Sequence, residues 1–241
     1  MNTLPQLTPF DGLLLVDKPP RLTSHDVVDR IRRHFGFKKV GHCGTLDPAA
    51  TGLLIIVLER ATKLQDRLMA DDKTYEGTLH LGVATDSQDG DGAVLAEKPV
   101  PPLAEADLEA VFAKFRGDIQ QIPPMVSAKK VAGQTLYKLA RKGKTIEREP
   151  RPVHIYDFRI LGLALPRVQF RVTCTKGTYV RTLCHDIGDQ LGCGGHLAEL
   201  RRTRSGKLDV ANAHRLDHLL TLNRAQLQPL IVPILKLAHL V

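Results

Sequence analysis

Residues 41–58 read Gly-His-Cys-Gly-Thr-Leu-Asp-Pro-Ala-Ala-Thr-Gly-Leu-Leu-Ile-Ile-Val-Leu. The run Leu53–Leu58 is apolar without alternation, the pattern of a strand buried on both faces. Ahead of it, glycines, a proline and two threonines make a tight, ordered loop. Asp47 sits in the middle of that loop, and a residue before proline is biased away from helix toward extended or turn backbone. A fixed loop therefore carries its carboxylate at the mouth of a buried strand, which suits a nucleophile or a general base. The same placement suits an Asx-turn, in which the side chain caps its own backbone. Spacing alone leaves both readings open.

Working outward, Gly12–Val16 is a short apolar run closed by Asp17-Lys18-Pro19-Pro20, a strand ended by prolines. Thr23-Ser24 offers an N-cap for a helix through Phe35, with Val27, Val28 and Ile31 on its apolar side and Gly36 as its stop. After the buried strand the pattern predicts a helix over 61–69. Residues 73–81 alternate and predict a strand with Tyr75, Gly77, Leu79 and Leu81 on one face. Asp86 to Gly92 is turn chemistry. Its aspartate spacing misses a calcium loop, and no Glu stands in the twelfth place. Leu108, Val111, Phe112 and Phe115 mark an amphipathic helix ending near Gly117. Residues 168–174 alternate as a strand, and Val180, Leu183, Ile187 and Leu191 mark a helix up to Gly192. Leu216, Leu219 and Leu220 begin a small helical tail. Strands and helices without a βαβ rhythm predict an α+β fold with a mixed, mainly antiparallel sheet flanked by helices.

The chain has 241 residues, 43% of them hydrophobic, enough for one large domain or one with a small appendage. No apolar run reaches the ~18–20 residues of a membrane helix, and no signal peptide is visible at the N-terminus. Cys43, Cys174, Cys184 and Cys193 form no CxxC pair, as expected of reduced thiols in a cytosol. Cys184-His185 and Cys193 with His196 have atypical spacing for zinc, and Cys184 falls on the apolar side of its helix, so burial is the expectation. Phosphate-loop, zincin and dinucleotide motifs are absent.

The formal net charge is +8, and six of those net charges come from residues 129–151. Lys129, Lys130, Lys138, Arg141, Lys142, Lys144, Arg148 and Arg151 there face only Glu147 and Glu149. Arg201, Arg202, Arg204 and Lys207 form a second cluster. One such cluster reads as a solvated face. Two, bounded by Gly and Pro breaks, raise a nucleic-acid partner whose phosphates they would neutralise.

The 41–53 segment resembles the GHxGTLDPxAxG signature of the TruB family of pseudouridine synthases. The resemblance continues in order through Asp11-Gly12-Leu13-Leu14, Lys18-Pro19 and Thr23-Ser24, then Lys73-Thr74-Tyr75-Glu76, Leu81-Gly82 and Thr85-Asp86. Pro123-Pro124, Ser127-Ala128-Lys129, Gly133, Tyr137, Ala140-Arg141 and Gly143 resemble the family's mobile RNA-clasping segment. Lys176-Gly177-Thr178-Tyr179-Val180-Arg181, Asp186-Ile187-Gly188 and Leu200-Arg201-Arg202-Thr203 complete it, over about residues 11–208.

The resemblance implies a pseudouridine synthase type of sheet, a catalytic domain over 1–210 with its mobile RNA-binding segment at about 123–151, and a short tail over 211–241 without a full PUA domain. It implies that Asp47 is the nucleophile, Tyr75 stacks on the flipped uracil, and Arg181 pairs with the catalytic carboxylate. His42, Tyr179, Leu200, Lys129, Lys130, Arg141, Lys142 and Lys144 become candidate substrate contacts. Lys18, Pro19, Gly44 and Thr45 have structural roles beside the site. The implied reaction breaks the glycosidic bond of a tRNA T-loop uridine, U55, turns the base and rejoins it through carbon. Nothing is oxidised or added, so no metal and no cofactor is expected. A cytoplasmic monomer that meets tRNA and no membrane is the corresponding expectation. Pro20 stands where the family usually has glycine, and Met125-Val126 replaces a commoner Tyr-Ser. Rival readings are a tRNA-folding chaperone without chemistry and a guide-RNA-dependent pseudouridine synthase. The intact Asp47, Tyr75 and Arg181 speak against the first, the short tail against the second.

Overall fold

The computed structural model describes residues 7–124 and 148–239 and, between them, the backbone of 130–131 and 134–135. In chain order the strands are β1 (Gly12–Lys18), β2 (Val40–His42), β3 (Thr51–Leu58), β4 (Lys73–Leu81), β5 (Val83–Thr85), β6 (Val94–Glu97), β7 (Gly117–Gln121), β8 (Lys130–Val131), β9 (Gln134–Thr135), β10 (Arg151–Ala164), β11 (Arg167–Cys174), β12 (Gly195–Ser205), β13 (Leu208–Asp209), β14 (His214–Arg215) and β15 (Val232–Pro233). The helices are α1 (Ser24–Phe35), α2 (Gln65–Met69), α3 (Glu105–Ala113), α4 (Val180–Gln190), α5 (Leu216–Leu219) and α6 (Arg224–Leu227). The α+β class and the mixed sheet of the sequence reading hold. β1–β14 and β3–β12 pair in parallel, while β1–β3, β2–β3, β10–β11 and β7–β10 are antiparallel.

Two compact units divide the chain: the first runs to Tyr75 and resumes at Arg201, and the second is Glu76–Leu200. In the first, strand order is β14-β1-β3-β12, with β15 on β1, β2 on β3 and β13 on β12. The short helical tail, α5 and α6, belongs to this unit. β1 and β3 run antiparallel from Gly12 opposite Leu58 to Lys18 opposite Gly52. Leu13–Val16 and Leu53–Leu58 are all buried, as the uninterrupted apolar run predicts. Leu13, Leu15, Leu53, Ile55 and Val57 join Cys43, Ala61 and Leu68 in one core cluster. Each such aliphatic contributes roughly 1.5–3 kcal/mol on burial. Thr23 caps α1 in a full capping box with Asp26, and Gly36 ends it in the left-handed conformation at φ +66°.

Where the sequence predicts one helix over 61–69, the chain makes a 3-10 segment, Glu59–Leu64, and then the short α2. The Thr62 hydroxyl donates to the Glu59 carbonyl at 2.7 Å, taking an acceptor a regular helix would use.

The second unit orders its strands β12-β4-β11-β10-β7. Its core holds Leu79, Leu108, Phe112, Phe158, Phe170 and Ile187, with Phe158 4.5 Å from Phe112 and 5.4 Å from Phe170 between ring centroids. Most of the inserted 123–151 segment lies outside the described residues.

Candidate active site

The loop between β2 and β3 is held from three directions. Lys18, at the end of β1, is fully buried and spends all three ammonium protons on carbonyls: Pro19 at 2.9 Å, Leu22 at 2.7 Å and Pro48 at 3.1 Å. The Ser24 hydroxyl, at the start of α1, accepts from the Leu46 N–H at 2.9 Å and donates to the Leu46 carbonyl at 3.2 Å. Arg202, on β12, is 1% exposed and donates through Nε to Leu53 O at 2.7 Å and through Nη2 to Gly44 O at 3.0 Å. In sequence the basic run at 201–207 reads as a solvated face when taken alone and as a phosphate contact beside the 129–151 cluster. The structure buries Arg202 instead, a structural cation whose protons go to one loop carbonyl and one on β3. Arg201 makes a bidentate pair with Asp17 at 2.8 and 2.9 Å.

Gly52 sits at φ +97°, and a Cβ there would stand 2.3 Å from Arg202 O, so only glycine allows the close parallel approach of β3 and β12. Within this frame Asp47 is half-buried, between buried Leu46 and exposed Pro48. Its carboxylate acts on Lys18. Burial pulls the ammonium down to about 8, while the charges of Asp47 and Asp26 draw it back up.

Gly44 and Thr45 sit in the same loop, Thr45 exposed. His42 is half-buried at the end of β2. Burial and the neighbouring Arg202 charge hold its imidazole below the ordinary value, toward the neutral form. Its Nδ1 is buried with no hydrogen-bond partner among the described residues. Tyr75 lies half-buried on β4. Lys73, two residues earlier, is buried and donates to Met69 O at 2.9 Å and Asp71 O at 2.5 Å.

In the second unit Tyr179 caps α4, and its N–H and carbonyl are both bound by the side chain of Gln121, at 2.8 and 3.1 Å. Arg181 is buried, its guanidinium carbon 5.9 Å from the Tyr179 ring centre. A cation so close to a helix N-terminus is electrostatically ill-placed unless an anion compensates. Asp89 compensates, 3.2 Å from Arg181 Nη1. Its other carboxylate oxygen accepts from Ser87 Oγ at 2.5 Å and Asp91 N at 3.2 Å. The 86–92 segment is therefore a turn, as its composition predicts, and its function is to fix a carboxylate on Arg181. Sequence reasoning did not find Asp89, because three aspartates crowd residues 86–91 with no periodicity to single one out. Leu200 is half-buried on β12.

Lys129, Arg141, Lys142 and Lys144, and the side chain of Lys130, lie outside the described residues. All four cysteines are buried free thiols. Burial pushes Cys43 up to about 12 and Cys184 further, which suits inert packing. Among the described residues no group of three or more His, Cys, Asp or Glu is placed to hold a metal ion, and no helix is long and apolar enough to cross a membrane.

The fold is similar to that of proteins already known. Residues 32–180 match the TruB family pseudouridylate synthase N-terminal domain, and residues 181–237 match the tRNA pseudouridylate synthase B C-terminal domain. A tRNA pseudouridine synthase B of Opitutus terrae is 52% identical over 229 residues, 95% of each chain. One from Chromohalobacter salexigens is 45% identical over 94% of this chain and 74% of its own. Among solved structures, a chain of a Cbf5–Nop10–Gar1 complex superposes with a TM-score of 0.74 at 30% identity, over 93% of this chain and 60% of that one. A chain of an H/ACA RNP bound to a substrate RNA containing 2'-deoxyuridine gives a TM-score of 0.67 at 31% identity, over 88% of this chain and 53% of that one. The chain is a pseudouridine-forming isomerase. It belongs to the TruB family of pseudouridylate synthases.

Proposed function

We propose that this enzyme converts a single T-loop uridine of tRNA, U55, to pseudouridine without a guide RNA, metal or organic cofactor. The observation that carries the reading is the loop around Asp47, whose backbone is bound by Lys18, Ser24 and Arg202 while its carboxylate stays half-buried. Preorganisation of this kind is what a reacting carboxylate needs. The tRNA substrate is supported by the names of the relatives given above, tRNA pseudouridine synthase B.

In this reading the target base leaves its stack. Tyr75 offers an aromatic face, worth roughly 1–3 kcal/mol against lost stacking. Asp47, ionised, attacks the sugar C1′ or the uracil ring as the N1–C1′ bond breaks. The base turns, C5 bonds to C1′, the bond to Asp47 breaks and returns its electron pair to the carboxylate, and the proton lost from C5 balances the one gained at N1. Arg181 favours and orients the ionised Asp47. His42, Tyr179 and Leu200 surround the displaced base and the opened loop. Lys129, Lys130, Arg141, Lys142 and Lys144 contact phosphates and carry the salt dependence. The enzyme works in the cytoplasm as a monomer.

The test is single-turnover incubation with an unmodified tRNA transcript in the presence of a chelator, with pseudouridine read by chemical mapping. Conversion of one T-loop uridine is expected. Asp47→Asn should abolish it and leave tRNA binding within about threefold. Binding by the wild type without conversion would instead support a chaperone or a guide-dependent enzyme. Loss of binding together with activity in Asp47→Asn would assign Asp47 a structural Asx role.

A further inference from the structure

At the end of β1 and β3 remote from the Asp47 loop, the first unit opens a cavity of about 390 Å³ lined by Lys38, Lys39, Arg60, Lys63 and Arg224. The only acidic side chains in its wall are Asp11 and Glu59; the backbone engages both, and Asp11 also faces Arg60 Nε at 4.0 Å. Asp11 is 2% exposed. It accepts from Thr8 N at 2.6 Å, Thr8 Oγ1 at 3.1 Å and Arg60 N at 2.9 Å. Glu59 is held at φ +49°, and its carboxylate accepts from Lys38 N at 2.8 Å while its own N–H donates to Lys39 O at 2.8 Å. A non-glycine residue kept in that region beside a cavity is the kind of strain that accompanies ligand sites.

Arg224 is fixed as well. Its guanidinium lies 4.3 Å from the Phe10 ring centre and 4.7 Å from that of Phe37, and it donates to Phe35 O at 2.8 Å. The ammonium groups of Lys38, Lys39 and Lys63, all exposed, have no ion-pair partner among the described residues. The wall is thus a built surface with unneutralised positive charge.

We propose that this cavity binds the phosphodiester backbone of the RNA substrate at a point outside the target loop. The inference rests on the tRNA reading above and adds a second place of engagement to it. β1 separates the two places: six residue steps, from Gly12 to Lys18, span about 20 Å. The cavity is thus offered to RNA that lies outside the target loop itself, and the folded body of a larger RNA supplies more of it than a stem-loop.

The test compares full-length unmodified tRNA with its isolated T stem-loop, using wild type and the double variant Lys39→Gln/Lys63→Gln. Binding is measured from 50 to 300 mM salt. With full-length tRNA the variant should bind about tenfold more weakly at low salt. Its log–log salt slope should be shallower by about 1.4–1.8, the effect of two lost phosphate contacts. Stem-loop binding should stay within twofold, and the single-turnover rate at saturating RNA should not change. An unaltered slope with full-length tRNA, or equal weakening toward both RNAs, overturns the proposal. A melting temperature equal to that of wild type shows that the variant is folded. Should it be lower, Lys63→Gln alone, with one lost contact and half the slope change, decides the same question. A wild type that binds tRNA without converting uridine sinks the catalytic reading and leaves the slope to decide this one; a wild type that binds no tRNA overturns both.

Discussion

Replacing Lys18 by methionine tests how the Asp47 loop is held. The side chain ends one atom short, near the old Cε, and loses three hydrogen bonds to carbonyls, at 2.7, 2.9 and 3.1 Å. Pro48 O keeps a second donor, Arg21 N, at 2.8 Å, so the carbonyls of Pro19 and Leu22 bear the loss. An acceptor left unpaired in the interior costs about 1–3 kcal/mol, giving 2–6 for the pair. Relief from burying an ammonium offsets part of this. The net expectation is a destabilisation of about 3 kcal/mol. For a chain of this size that lowers the melting temperature by roughly 6–12 °C. Thermal unfolding followed by circular dichroism reads the stability. Single-turnover conversion at saturating tRNA, below the transition, reads the loop, and the rate should fall at least tenfold with binding little changed. A melting temperature within 2 °C of wild type and a rate within twofold would refute the argument that Lys18 positions Asp47 through the backbone.

The same residue gives a pH prediction. Burial depresses the folded-state ammonium to about 8 from 10.5, so between those values the unfolded chain binds more protons and wild-type stability gains from rising pH. Chemical denaturation at pH 7.5 and 10 should therefore show the deficit of Lys18→Met widening at the higher pH; a constant or narrowing deficit would contradict it. Gly52→Ala places a methyl 2.3 Å from Arg202 O at φ +97° and should cost more than about 3 kcal/mol, visible as loss of soluble, cooperatively melting protein. Asp89→Asn keeps the shape beside Arg181 but removes the charge, and should slow single-turnover conversion about tenfold while tRNA affinity changes less than threefold.

Local chemistry made part of this structure legible. Leu53–Leu58 needed only its unbroken apolar run, and α1 only Thr23, its apolar spacing and Gly36. The loop around Asp47 showed in its glycines and proline, although spacing did not separate a reactive carboxylate from an Asx-turn. Other features depend on partners far away in the chain. Arg202 sits in a basic run whose charge suggests solvent, and its burial follows from carbonyls about 150 residues earlier. Asp89 matters because it pairs with Arg181, 92 residues on, at a helix start. Most of β10, a 14-residue strand, passed unread because its early residues belong to a basic, proline-containing stretch. The 3-10 segment at Glu59–Leu64 turns on one threonine hydroxyl competing for a carbonyl, too fine a contest for periodicity to register.

The bonds from Arg202 to Gly44 and Leu53 have a bearing on how the protein is made. The first unit is assembled from both ends of the chain, with Glu76–Leu200 synthesised in between. While translation proceeds from the N-terminus, the Gly44 and Leu53 carbonyls wait for a guanidinium not yet polymerised. The nascent polypeptide therefore carries Asp47 on a loop that Lys18 and Ser24 already hold but Arg202 does not until residue 202 has been made, so the last of its three supports arrives late. A stalled or truncated product ending before that residue would hold every residue of the 41–53 signature and still lack one of the three supports of its loop.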